Sequence, residues 1–103
     1  MTRQKRSETP EYRWEQELLD AYQDYRWRNV LEPLYREFQQ WKAGELDHLA
    51  MDEAIHRTQR QNQELFTFFI QKRGWLVRVI QLDETWFKDW VKANPPPPGY
   101  KLG

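Results

Sequence analysis

The chain contains no cysteine, which removes disulfide cross-links, thiolate metal sites and cysteine nucleophiles together. Glycine is scarce, with 4 residues scattered at positions 44, 74, 99 and 103, so neither a phosphate-cradling P-loop nor a dinucleotide fingerprint can be formed. Serine occurs only as Ser7, and the Gly-x-Ser-x-Gly elbow that exposes a nucleophilic hydroxyl is missing. Charge of one sign is not in surplus either: 16 Lys and Arg oppose 16 Asp and Glu. That balance argues against a nucleic-acid partner, whose electrostatic footprint is an excess of basic groups. No stretch approaches the ~18 uncharged residues of a membrane helix, and no basic start, apolar run and small-residue cleavage site opens the chain as in a secretory signal. These absences lead to the expectation of a soluble, cytoplasmic protein without a membrane partner.

What the chain has in abundance is aromatic residues, 16% of its length as 6 Trp, 5 Tyr and 5 Phe, in an otherwise hydrophilic sequence of mean hydropathy -1.05. At 103 residues one domain is expected. Its apolar material is concentrated in a few large side chains.

Residues 1 to 9 carry Arg3, Lys5 and Arg6 and no large apolar side chain after Met1, so they read as a mobile basic arm. Thr9 and Pro10 form a helix start, with Thr9 as N-cap and Pro10 at the first helical position. Trp14, Leu18, Ala21 or Tyr22, and Tyr25 then recur at steps of three and four, which predicts a helix over about 10 to 28. Asn29 with Glu32 has the form of a new cap, and Pro33 follows within one turn, so a restart or a kink is expected near Val30. Leu31, Leu34 or Tyr35, Phe38 and Trp41 continue the period to a glycine stop at Gly44.

Asp47 is the expected N-cap of a long helix over 48 to 73. That helix has apolar ends and a nine-residue polar middle, His56 to Glu64, whose only apolar group is a Thr methyl. Asp52, His56, Gln59 and Gln63 step along one face of it, as a solvated outer face or as a polar stripe setting the register of a helix dimer. Beyond Gly74 the β-branched run of 75 to 82 suits a strand locally. Leu76, Val79 or Ile80, Asp83, Trp86 or Phe87, and Trp90 or Val91 nevertheless hold the helical period, so one helix over about 75 to 93 is expected, with a re-cap at Asp83. Asn94 and Pro95 end it, and Pro95 to Pro98 form a polyproline rod leading to Tyr100. The sequence thus divides into an arm (1 to 9), a helical domain (10 to 94) and a proline-rich tail (95 to 103).

The predicted fold is all-α: a three- or four-helix bundle or an extended helical hairpin, completed by homodimerisation. Trp27 with Tyr25, Phe68 with Phe69, and Trp86 with Phe87 place large rings on more than one helix face, and a second copy is the economical way to cover the surplus. Trp27, Phe66, Phe69, Trp75, Trp86 and Trp90 are the candidate interaction residues.

The best chemical constellation is Glu53 with His56, one turn apart, the spacing that carboxylate-bridged di-iron bundles use to present both groups to one metal. His48 and Asp52 lie on a neighbouring face. One copy supplies too few ligands, so an iron or zinc site would require a second chain. The favoured expectation has no cofactor, with these residues as ordinary surface groups of a polar helix.

Arginine interleaved with aromatics, in Tyr12-Arg13-Trp14 and Tyr25-Arg26-Trp27-Arg28, has the chemistry of a single-strand stacking site, but Glu15, Glu17, Asp20 and Asp24 spoil its field. Pro97-Pro98-Gly99-Tyr100 resembles the short ligand read by WW domains. The plainer expectation is that Tyr100 and Leu102 pack back on the body or on a partner. No catalytic residue is assigned. The functional expectation is a helical interaction, assembly or regulatory protein that binds itself and, through further contacts, another protein. A ferritin-like or other carboxylate and histidine metal protein is the alternative.

Overall fold

The structure, a computed structural model, describes residues 9 to 102. All of the expected arm except Thr9 therefore lies outside the described residues. Among those described, the chain forms α1 (Pro10–Lys42), α2 (His48–Phe69), α3 (Arg73–Ile80) and α4 (Glu84–Ala93), with no strand. The all-helical class stands, including the β-branched run after Gly74. No helix is long and apolar enough to cross a membrane among the described residues. Contacts divide the chain into two compact units, one of Met1–Tyr22 with Gln71–Gly103 and one of Gln23–Ile70.

The first unit has the denser core. Trp14, Leu18 and Tyr22, each four residues apart on α1, are buried together with Leu76, Val77 and Ile80 of α3 and Phe87 of α4. Leu18 and Ile80 lose all contact with solvent, a burial that contributes roughly 2 to 3 kcal/mol each. Aromatic edges fix the angles: the Tyr22 ring meets Trp86 edge-on at 4.8 Å, and Trp86 stacks on Trp90 at 6.1 Å. The Arg73 guanidinium lies 3.7 Å above the Tyr12 ring and donates to the Tyr12 carbonyl at 2.8 Å and to Gln16 Oε1 at 2.6 Å.

The second unit is an antiparallel hairpin of α1 from residue 23 onward and α2. Its turn is built by Gly44, whose φ of 80° lies in the left-handed region that a Cβ disfavours. Gly44 N–H reaches the Trp41 carbonyl at 3.1 Å and Glu45 N–H reaches that of Gln40 at 2.8 Å, the paired bonds of a Schellman cap. Asp47 then caps α2 through Oδ1, accepting from Ala50 N–H at 2.7 Å.

Three expected boundaries are corrected. α1 runs unbroken through Asn29 and Pro33, so of the expected restart or kink near Val30 the restart is excluded. Within the hairpin its contacts to α2 lie on both sides of the proline, through Arg26 and Trp27 before it and Glu37 and Trp41 after it, and together they outweigh one missing backbone bond. α2 ends at Phe69 instead of 73, and Gly74 lies inside α3. The expected single helix over 75 to 93 is two, α3 and α4. The break falls at Gln81 to Asp83, and Asp83 makes no side-chain cap there; its Oδ2 instead accepts from the Tyr22 hydroxyl at 3.0 Å.

Candidate interaction surface

The hairpin's inner face is thin. Met51, Ala54, Thr58 and Leu65 are buried, all four from α2, and no residue of α1 from 23 to 42 is buried. Two helices cannot enclose a core between them, because each offers an apolar stripe wider than one neighbour covers. The uncovered part lies on both helices and is interrupted on α2 by the exposed carboxamides Gln59 and Asn62. On α1 it comprises Trp27, Leu31, Tyr35 and Phe38, and on α2 Ile55, Phe66 and Ile70; leaving aside half-buried Trp27, every one of these is at least 40% exposed.

Cross-helix bonds show that both strips lie on the same side of the hairpin. Trp27 Nε1 donates to Asn62 Oδ1 at 2.7 Å, the Trp27 ring lies 5.2 Å from Phe69, and Trp41 Nε1 donates to His48 Nδ1 at 2.9 Å. Leu31 and Phe38 follow Trp27 at helical spacing, while Ile55, Gln59, Asn62 and Phe66 step by four, three and four along α2. The opposite side carries Arg26 over the Phe68 ring at 5.7 Å and an ion pair between Arg57 and Glu37. Charges border the apolar strip without entering it: Asp24, Arg28 and Glu32 line its outer edge on α1, where Arg28 pairs with Asp24 at 2.8 Å.

Of the candidate interaction residues, Phe66 and Trp75 are exposed while Trp27 and Phe69 are half-buried against each other. Trp86 and Trp90 are half-buried within the first unit, against Tyr22 and Trp14. The polar stripe faces solvent in the single chain, with Gln59, Asn62 and Gln63 all exposed. Leu31, Tyr35, Phe38 and Ile55 are not among the interaction residues expected from sequence. Their signal was periodic, but it is shared by any core stripe.

The metal-ligand candidates are dispersed. His56 Nε2 sits 3.3 Å from Asp52 Oδ2 on the solvated surface, Glu53 is exposed, and His48 is engaged by Trp41. No group of three His, Asp or Glu side chains converges on one point among the described residues. An iron or zinc site here would draw further ligands from a second chain.

In the first unit the tail is docked. Trp14 Nε1 donates to the Asn94 carbonyl at 2.9 Å, and the Trp14 ring lies 4.7 Å from that of Tyr100. Tyr100 in turn donates its hydroxyl to Glu15 Oε2 at 2.6 Å. Gly99, with φ 84°, and the bond from Tyr100 N–H to the Pro97 carbonyl at 3.1 Å make the Pro97-Pro98-Gly99-Tyr100 stretch a β-turn. Leu102 remains exposed. No family model, curated protein or solved structure matches the chain.

Proposed function

We propose that the protein is a helical interaction and assembly module that pairs with a second copy of itself through the apolar side of its α1–α2 hairpin. The observation that carries this is the half-finished core of that hairpin: four buried residues from α2, none from α1 beyond residue 22, and exposed Leu31, Tyr35, Phe38, Ile55, Phe66 and Ile70 grouped on one side of it. An exposed apolar patch on a small hydrophilic protein marks a contact surface. Two such hairpins placed face to face complete a four-helix bundle, and a closed two-fold dimer is the commonest way for one patch to cover itself. The strip's own residues carry no charge, and at its border Asp24 is already paired with Arg28, which limits the charge that pairing desolvates.

The test compares molar mass in solution for variants on and off the strip. Leu31→Arg and Phe66→Arg are expected to abolish self-association, whereas Leu49→Arg on α2 and Leu82→Arg between α3 and α4, both exposed apolar positions that are not part of the strip, leave it intact. Equal behaviour of all four variants would defeat the proposal.

A further inference from the structure

On α2 the stretch Ile55, Gln59, Asn62, Phe66 reads the same in both directions by residue class, and on α1 Asp24 and Lys42 bracket the strip with opposite charges; from these two features we infer that the second copy docks antiparallel, α1 on α1 and α2 on α2. The two-fold axis crosses the helices at the level of Pro33 and Gln61. This orientation rests on the self-association proposed above and adds to it the partner's register.

On α2 the strip runs Ile55, Gln59, Asn62, Phe66, an apolar residue, two carboxamides and an apolar residue at steps of four, three and four. An antiparallel copy centred between Arg60 and Gln61 sets Ile55 against the partner's Phe66 and Gln59 against the partner's Asn62. Shifting this antiparallel register by one turn would set Ile55 against the partner's Asn62 or Phe66 against the partner's Gln59, which costs the carboxamide its hydrogen bond. Asn62 suits this role: its Oδ1 is taken by Trp27, so its NH2 is left as the donor toward the partner's Gln59.

α1 has an independent centre. Asp24 and Lys42 lie five full turns apart, on one line along the outer edge of the strip, and both are exposed. An antiparallel copy centred at Pro33 brings each Asp24 to the partner's Lys42 and each Leu31 to the partner's Tyr35. The two centres coincide in space. Glu37 is level with Arg57 and Arg26 with Phe68 across the hairpin, which puts Pro33 level with Gln61. One two-fold axis therefore satisfies the charge pairing on α1 and the carboxamide pairing on α2 at once, as an isologous interface requires.

The absence of native cysteine allows a direct test. Full-length Ile55→Cys and Phe66→Cys chains are mixed and oxidised, and each is also oxidised alone. Both positions are exposed, and Leu31→Cys with Tyr35→Cys provides a second pair should either fold poorly. The expected result is a disulfide-linked species of twice the 12.8 kDa chain mass in the mixed sample only. At positions 55 and 66 identical residues of the antiparallel copies would stand about 16 Å apart along the axis, beyond disulfide reach, whereas at 31 and 35 they would stand about 6 Å apart, so the second pair is read by its mixed sample alone. Cross-linking of Ile55→Cys with itself would indicate a parallel pairing and overturn the orientation. Failure of both mixed pairs in a protein of dimeric mass would overturn it while leaving self-association standing. A monomeric mass would remove both.

Discussion

The indole of Trp14 is packed against the phenol ring of Tyr100 at 4.7 Å, and the same indole holds the Asn94 carbonyl through its N–H. The polyproline tail thus leaves α4 at one edge of Trp14 and returns to it through a turn closed by Pro98 and Gly99. Tyr100→Ala removes both the ring contact and the hydrogen bond to Glu15, so its expected cost is roughly 1 to 3 kcal/mol. Tyr100→Phe keeps the ring and is expected to cost about 1 kcal/mol. Urea unfolding followed by far-ultraviolet circular dichroism measures both.

Burial, followed by the hydrogen bond to Glu15, raises the Tyr100 phenol above its ordinary value of 10.0. A raised value in the folded state means that the folded chain holds this proton more tightly than the unfolded one. The stabilisation is complete below pH 10 and is lost as pH climbs above it. The wild type should therefore lose more stability than Tyr100→Phe between neutral pH and the alkaline range. Parallel losses in the two proteins would remove Tyr100 as the cause.

Two glycines should respond in opposite directions to alanine. Gly44 has φ 80° at the hairpin turn, so Gly44→Ala is expected to cost about 1 kcal/mol through left-handed strain alone. Gly74 lies in α3 with ordinary helical geometry and open space where a Cβ would stand; Gly74→Ala should stabilise by roughly 0.5 to 1 kcal/mol. Thermal unfolding of both variants checks the signs.

If the hairpin completes its core on a second copy, folding and association are linked. The melting temperature should then rise with protein concentration, and Phe66→Arg should flatten that dependence. Differential scanning calorimetry over a dilution series reads both.

Much of the architecture was legible where a local signal decides. Thr9, Gly44, Asp47 and Asn94 end or begin helices as their capping chemistry predicts. The misplaced boundaries share a physical cause, since each depends on partners far along the chain. Pro33 is spanned by contacts to α2, Asp83 is drawn away from capping by Tyr22, and Arg73 at the start of α3 is held by Tyr12 and Gln16. The interaction surface was legible as a surplus of large apolar residues and not as a face. Periodicity tells which residues share a helix side, but only cross-helix bonds such as Trp27 to Asn62 tell which sides of α1 and α2 adjoin. The aromatic emphasis of the sequence also drew attention to Trp86 and Trp90, which pack within the first unit, and away from Leu31 and Ile55.

The most direct test of the hairpin's self-association is the molar mass of the unmodified chain by sedimentation equilibrium, from micromolar to millimolar concentration. A mass of twice the 12.8 kDa chain, falling toward the single-chain value only on dilution, is the expected result. A mass of 12.8 kDa at every concentration would contradict it.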